Sequence, residues 1–416
     1  MKKLLLSSIL SSILLLNLFN LYSQENSTSM CALDNFISIA RENNPDFDKQ
    51  IEEKEKFSIN FHKNKQQILT IPVVVHIVWN SSTDSIPDEQ VYSQIDALNI
   101  DYMRLNADTV NTPSEFISIS ANPRIQFCLA EKDPDGNETT GITRTQSHKS
   151  LFALVSGDTS IWHTSLGGFD GWDPSKYLNI WVANISPAGG IGFWPEAVFP
   201  GHREGVVINH TFFGTTGTAI EPYNQGRTTT HEVGHYLNLY HLWGNVSNNS
   251  NCLQTDYCDD TPTQRTASQY CPSFPLTDIC TNTYPGLNFM NFMDYPRDSC
   301  KNMFTVDQVD RMRNCLLGVR SSLLTSNSCS ATLNVKQLDT ENQLNVYPNP
   351  STENITIVYP TNNSTLKIYN SLGVLWFEDE INYTLQLETI NWPNGFYTVE
   401  ISTNMSVEYT KLIISH

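Results

Sequence analysis

The stretch TTTHEVGHYLNLYHLWG, residues 228–244, constrains this chain more than any other. His231 and His235 are four positions apart, which on an α-helix stacks both imidazoles on one face, where they can share one metal ion. Glu232 sits beside that face. A catalytic zinc takes three protein ligands and keeps a fourth position for water. His241 offers the third ligand, but a continuing helix would carry it through about 600° and roughly 9 Å beyond His235, out of reach. The chain must therefore leave the helix between them through a residue that tolerates positive φ, and Asn238 stands there. An ordinary surface helix that happens to carry histidines is the competing reading, and the third histidine behind a helix-ending residue argues against it.

The rest of the chain says where such a site would work. At 416 residues it is too long for one ordinary domain, and two or three units are expected. Its formal charge of −18, from 43 acidic and 25 basic residues, repels phosphate backbones and excludes nucleic acid as a partner. The opening MKKLLLSSILSSILLLNLFNLYSQ has a basic start, an apolar run and a small residue before Gln24, the pattern of a secretory signal peptide over residues 1–23. Ser7, Ser8, Ser11, Ser12 and Asn17 break the run, and no other stretch is apolar enough to span a bilayer, so no transmembrane segment is expected in the mature protein. Export also suits the cysteines: six of nine fall between Cys252 and Cys315, which in an oxidising compartment reads as disulfides stapling a loop-rich region. The odd total leaves at least one unpaired.

Residues 24–69 are polar and charged with little periodic apolar character, and read as a pro-segment or linker. IPVVVHIVW (71–79) is a β-branched run of the kind found in buried strands. The segment after it places Val91, Ile95, Leu98 and Tyr102 at helical spacing, with Pro87, Asp88 and Glu89 in the first turn. Further strand-like runs occur at RIQFCLAE, YLNIWVANI and GVVINHTFF, so strands and helices alternate in an α/β domain over residues 70–330. A polar connector at 331–343 leads to short alternating segments, NITIVY, TLKIYN, FYTVEIS and YTKLIIS, which predict a small all-β sandwich over 344–416.

HEVGHYLNLYHLW resembles the long zinc signature of the metzincin metalloproteases, and its wording is most similar to the pappalysin (cytophagalysin) branch. That branch usually carries glycine where this chain has Asn238. NFMDYPRDSCKNMFTVDQVDRM (291–312) is similar to the family's Met-turn and following helix, which implies that Met293 lies under the zinc and that Tyr295 follows it as a site tyrosine. Met290, not followed by Asp-Tyr, is the weaker candidate. TDYCDDTPTQ resembles a structural calcium segment of the family, with Asp256, Asp259, Asp260 and Thr261 as hard oxygen donors; an acidic turn is the alternative. The resemblance covers about residues 70–320 and implies a metzincin fold, a mixed sheet above a zinc-binding helix with an irregular subdomain below. The C-terminal unit, with NVYPNPSTENITI and the ending YTKLIIS, resembles the sorting domain of the type IX secretion system, against a carbohydrate-binding or adhesive sandwich in which Trp376 and Trp392 would be the stacking platforms.

These resemblances imply a secreted or surface-attached zinc endopeptidase acting on proteins or peptides and delivered by the type IX machinery. Zinc on His231, His235 and His241 would polarise the carbonyl and acidify its water, with Glu232 as general base and Tyr295 donating to the oxyanion. A secreted adhesin with a vestigial zinc site and a zinc hydrolase of a non-peptide bond are the rivals; the intact Glu232 argues against the first. The family's two bridges would pair Cys252 with Cys280 and Cys271 with Cys300, with Cys258 able to displace Cys252. By the same resemblance Asp298 would fall in the stretch that walls the pocket for the residue after the scissile bond, where a carboxylate would favour Arg or Lys; a solvent-facing turn aspartate is the alternative. Cys31, alone in the polar N-terminal segment, would by the same resemblance hold the fourth zinc position and keep the enzyme latent, although TSMCALD lacks the glycine that commonly follows such a cysteine. Otherwise Cys31 pairs with Cys128, Cys315 or Cys329 or stays idle.

Overall fold

The computed structural model describes residues 31–56, 67–154, 158–195, 204–329, 344–359, 364–370, 373–381, 384–402 and 407–416. The expected signal peptide and the 331–343 connector lie outside the described residues. The chain divides into two compact units, residues 1–330 and 331–416.

The first unit is built on one sheet. Strands β1 (Leu69–Trp79), β2 (Ile125–Leu129), β3 (Ile142–Gln146), β4 (Leu178–Ala183), β5 (Gly190–Gly192) and β6 (Val206–Asn209) run in the spatial order β2-β1-β4-β6-β5. The long β1 pairs with β2 along its first half and with β3 along its second. All pairings are parallel except β5 with β6, so the sheet is mixed and its edge strand runs against the rest. The β-branched run predicted for β1 is buried from Ile71 to Val78, as expected of a strand covered on both faces. Helix α3 (Asp88–Tyr102) follows and buries the predicted Val91, Ile95, Leu98 and Tyr102. Pro87 is its N-cap, one step outside the first turn in which the sequence had placed it.

The N-terminal segment departs from its sequence reading. Residues 31–56 form two helices, α1 (Leu33–Asn43) and α2 (Phe47–Lys56), and Leu33, Phe36, Ile37, Ala40, Phe47 and Ile51 are buried in the main core. Leu33, Phe36, Ile37 and Ala40 follow the i, i+3, i+4, i+7 pattern of one helix face. The charged neighbours masked that stripe, so the segment is not devoid of apolar periodicity.

Below the sheet lie α4 (Arg227–Tyr236), a long irregular stretch, and α5 (Val306–Leu317), which starts with a Thr305/Gln308 capping box. The irregular stretch carries the Cys252–Cys280 and Cys271–Cys300 disulfides that the resemblance implied. A third bridge joins Cys128 on β2 to Cys329, and Cys31, Cys258 and Cys315 are buried outside these three bridges.

The second unit has two antiparallel sheets, of three and four strands. They enclose a core of Ile355, Ile357, Tyr359, Leu366, Ile368, Tyr397, Val399, Ile401, Leu412 and Ile414, taken from alternate positions of the predicted strands. Among the described residues, no helix is long and apolar enough to cross a membrane.

Candidate active site

By propensity α4 is a poor helix: RTTTHEVGHY contains three consecutive β-branched threonines and a glycine. Tertiary contacts hold it, because all ten of its residues are buried. Thr229 Oγ1 donates to Gln94 Oε1 (2.8 Å), Thr230 Oγ1 to Asp101 Oδ2 (2.9 Å), and Tyr102 to the carbonyl of Thr230 (3.0 Å), which ties α4 to α3. Arg227 at its start forks onto Asp108 at 2.6 and 3.0 Å. On the other side edge strand β5 approaches so closely that a Cβ at Gly192 would stand 2.1 Å from the carbonyl oxygen of Glu232, and one at Gly190 would stand 2.8 Å from its Cγ. Sequence reasoning missed this strand. The GGIG run lacks the bulky residues that announce strands, yet a glycine cluster is the signal for close backbone approach.

The helix ends at Tyr236, and Asn238 has φ 73°, the left-handed conformation expected of it. Leu239 N donates to Gly234 O (2.9 Å), closing the turn that swings His241 back under the helix. The Nε2 atoms of His231, His235 and His241 lie 3.0–3.2 Å from one another. Each ring's other nitrogen already has an acceptor. His231 Nδ1 donates to Phe292 O (2.8 Å), His235 Nδ1 to Leu239 O (2.8 Å) and His241 Nδ1 to Asp34 Oδ1 (3.0 Å). With the protons on Nδ1, three Nε2 lone pairs face one point, an arrangement that repels itself unless a cation sits between them. Nitrogens about 2.0–2.1 Å from a common tetrahedral centre stand about 3.3 Å apart, so the residues present fit zinc. Burial and mutual repulsion push His231 and His235 well below the ordinary histidine range, which keeps them neutral.

Cys31 completes the group: its Sγ and the three imidazole nitrogens all lie within 4.8 Å of one another, buried. It donates to Glu232 Oε2 at 3.3 Å. Burial raises Glu232 to about 8, against the pull of hydrogen bonds from Cys31 and the Gly192 backbone. The segment around Cys31 lies along β5, with Ala32 N donating to Gly190 O (2.9 Å). Asp34, which sequence reasoning did not single out, reaches the cluster only through this docking.

Met293 is fully buried beneath α4, and Met290 belongs to a separate small cluster with Phe116, Phe289 and Met303. Tyr295 places its hydroxyl 3.1 Å from His241 Nε2, and burial pushes its pKa well above the ordinary tyrosine value. Asp298 is not a solvent-facing turn residue, since it is fully buried. Its Oδ2 accepts from the amides of Gln225 (2.9 Å) and Arg227 (3.3 Å) at the start of α4, and Lys301 Nζ lies 3.7 Å from Oδ1.

The four residues expected to hold calcium do not converge as the histidines do. Thr261 Oγ1 donates to both carboxylate oxygens of Asp256 (2.8 Å each), whose pKa burial raises to about 7 against that hydrogen bond. The amides of Asp259 and Asp260 donate to Asp307 Oδ2 at 3.0 and 3.2 Å. Asp260 Oδ1 is buried without a hydrogen-bond partner.

A mixed sheet with an antiparallel edge, a buried histidine helix, a left-handed turn to a third histidine and a methionine beneath them define a metalloprotease of the metzincin type. The comparisons with known proteins agree. The peptidase M43 family model, pregnancy-associated plasma protein-A, matches residues 168–317, and the secretion system C-terminal sorting domain matches residues 345–415. An extracellular metalloprotease of Pyricularia oryzae is 30% identical over 269 residues, covering 62% of this chain and 78% of that protein. Mature mirolysin of Tannerella forsythia, solved with a cleaved peptide, is 45% identical with a TM-score of 0.60, covering 62% of this chain and 96% of that one. A promirolysin variant from the same organism is 42% identical with a TM-score of 0.65, covering 70% of this chain and 95% of its own. The chain belongs to the pappalysin family of metalloproteases, and its C-terminal sorting domain marks it for secretion.

Proposed function

We propose that this protein is a zinc-dependent endopeptidase of proteins or peptides, made as a latent precursor and handed to the type IX secretion machinery by residues 344–416. His231, His235 and His241 hold the zinc. When bound, the zinc supplies Lewis acidity and lowers the pKa of water to about 7. Glu232, buried beside the ligands, takes the proton of the attacking water and passes it to the leaving amine. Tyr295 aims its hydroxyl into the same space and donates to the oxygen on which negative charge develops. The observation that carries the reading is the convergence of three Nε2 lone pairs whose Nδ1 protons are already committed elsewhere.

Latency is assigned to residues 24–69 through Cys31, whose thiol takes the fourth position and covers Glu232. The match to promirolysin covers 70% of the chain against 62% for mature mirolysin, which supports reading the segment before the sheet as a pro-segment. Calcium is assigned to the Asp256–Thr261 stretch, on the strength of the buried, unpartnered Asp260 Oδ1. The test is digestion of denatured casein by the processed protein with and without a zinc chelator, together with the Cys31→Ala precursor. Digestion abolished by chelator, and a mutant precursor active before cleavage, are expected. Digestion indifferent to chelator overturns the zinc assignment, and a mutant precursor as latent as wild type overturns the thiol.

A further inference from the structure

Arg311 on α5 is almost wholly buried, yet both of its terminal nitrogens are directed at the N-terminal segment. Nη1 donates to Glu55 Oε2 and Nη2 to Glu55 Oε1, each at 2.6 Å, a two-pronged pairing of guanidinium and carboxylate. Tyr240 adds a third donor to the same carboxylate, its hydroxyl 3.0 Å from Glu55 Oε1. The guanidinium lies over the rings of Tyr240 (4.8 Å) and Tyr257 (5.5 Å), and its Nε donates to the carbonyl of Asn238, the residue that makes the turn. The fork is therefore held rigid from behind by the molecule that carries the site, while its face is filled from a different part of the chain.

The location matters as much as the chemistry. Tyr240 precedes His241 in sequence, and Trp194, two residues beyond edge strand β5, packs against Tyr240 with ring centroids 4.3 Å apart. The segment that fills the pairing is the same one that covers the histidines: Cys31 pairs with Gly190 on β5, Phe36 packs on Phe193 (5.6 Å), Arg41 donates to Asn245 O (2.6 Å), and α2 brings in Glu55. One continuous track thus runs from the histidine cluster to the arginine, and a peptide lying in that track reaches both.

We propose that Arg311 and Tyr240 form a carboxylate seat, occupied by Glu55 in the precursor and, once the N-terminal segment has left, by an acidic side chain of a bound peptide a few residues from its scissile bond. The inference rests on the reading of residues 24–69 as a removable pro-segment. Once the segment has left, the guanidinium stays held from behind by the Asn238 carbonyl and the two rings, and an acidic side chain restores the two-pronged pair. Hydrogen bonds to charged groups contribute enough that replacing the carboxylate by its uncharged amide weakens binding by about tenfold or more.

The decisive change is made in the ligand, which leaves the fold of the protein untouched. In the first arm a labelled synthetic peptide of residues 33–56, with glutamate or glutamine at position 55, is titrated by fluorescence anisotropy into the processed protein under chelator, where no turnover occurs. In the second arm, the zinc-loaded processed protein is given peptide substrates that differ only by Glu against Gln at each position on both sides of the cleaved bond. A preference of about tenfold for Glu55 in the first arm identifies the released segment as an occupant, and a single position of glutamate preference in the second identifies substrate. Either preference should fall severalfold in Tyr240→Phe, which keeps Arg311 and its hold on Asn238. Absence of Glu over Gln discrimination in both arms overturns the seat. If mass spectrometry instead finds residues 31–56 still bound to the processed protein, the pro-segment reading fails first, and the vacant seat with it.

Discussion

Gly234 and Met293 are in contact through a gap that only a hydrogen fits: a Cβ at Gly234 would lie 2.4 Å from Met293 Sδ and 3.3 Å from its Cε. Gly234 stands between the two helical histidines, so the methionine forms the floor on which α4 rests. Gly234→Ala would ordinarily favour a helix, by up to about 1 kcal/mol. Here overpacking should win, with a net loss of about 1–3 kcal/mol. We expect a lower Tm and a reduced zinc content in the alanine variant. A Tm equal to or above wild type would show that Met293 moves aside freely.

Glu232→Gln should bind zinc and melt like wild type while losing peptidase activity by about 10²–10⁴-fold, since the base is gone and the ligands remain. Its zinc stoichiometry is measured alongside casein digestion. A glutamine variant with near wild-type turnover would move the base to another residue.

The histidine positions were open to a reader of the sequence because the chemistry fixes their spacing. Four residues bring two imidazoles together, and the third histidine demands a bend that Asn238 makes at φ 73°. Strand β1 and helix α3 were legible for the simpler reason that their apolar residues are long unbroken or periodic runs. What stayed hidden depends on distant partners. Edge strand β5 is three residues with two glycines and has no propensity of its own. Asp34 and Glu55 look like any solvated acids until docking places them on His241 and Arg311, and the apolar stripe of α1 is only four residues among charges. The carboxylate of Asp298 could be named from the sequence, but its burial against Lys301 could not.

His76, in the middle of β1, is fully buried among Phe169, Trp172 and Trp181, with Nε2 donating to Asn179 Oδ1 and Nδ1 accepting from Thr143 Oγ1, both at 2.8 Å. Burial lowers its pKa from 6.5 to about 4, outweighing the support of Asn179. The folded pKa is depressed, so the stability it confers is complete above pH 6.5 and is lost as pH falls towards 4. The size is on the order of 3 kcal/mol. His76→Gln, which has nothing to titrate, should be less stable at pH 7 but lose less on acidification. Tm curves for the two proteins from pH 7 to pH 4 check this, and parallel curves would remove His76 as a source of acid sensitivity.

Calcium in the Asp256–Thr261 stretch would neutralise acidic side chains there, with Asp260 Oδ1 unpartnered and Asp307 shared between two amides. Addition of calcium to chelator-stripped protein should raise Tm, by about 2.7 kcal/mol of stability at a hundredfold excess over Kd. Asp260→Asn should weaken that response. Magnesium is the control, since a larger, irregular oxygen site favours calcium. A Tm indifferent to calcium in wild type would leave the stretch as an acidic turn.

Asp298 and Lys301 set the last expectation. Asp298 Oδ2 is committed to the two amides at the start of α4, so any attraction for a basic residue after the scissile bond would fall to Oδ1; both Asp298 and Lys301 are fully buried, and Lys301 Nζ stands 3.7 Å from that oxygen. The ammonium therefore already offsets part of the charge that would select Arg or Lys. Asp298→Asn keeps an acceptor for the amides and removes the charge, so it should abolish a preference for Arg or Lys without loss of zinc. Lys301→Met removes the competing cation and should sharpen the preference, by about tenfold or more if Arg then pairs with the freed carboxylate. Cleavage profiles on a peptide library, read for wild type and both variants, decide the matter. Three identical profiles would mean that neither buried charge faces the substrate, and that Asp298 serves only to anchor the start of the histidine helix.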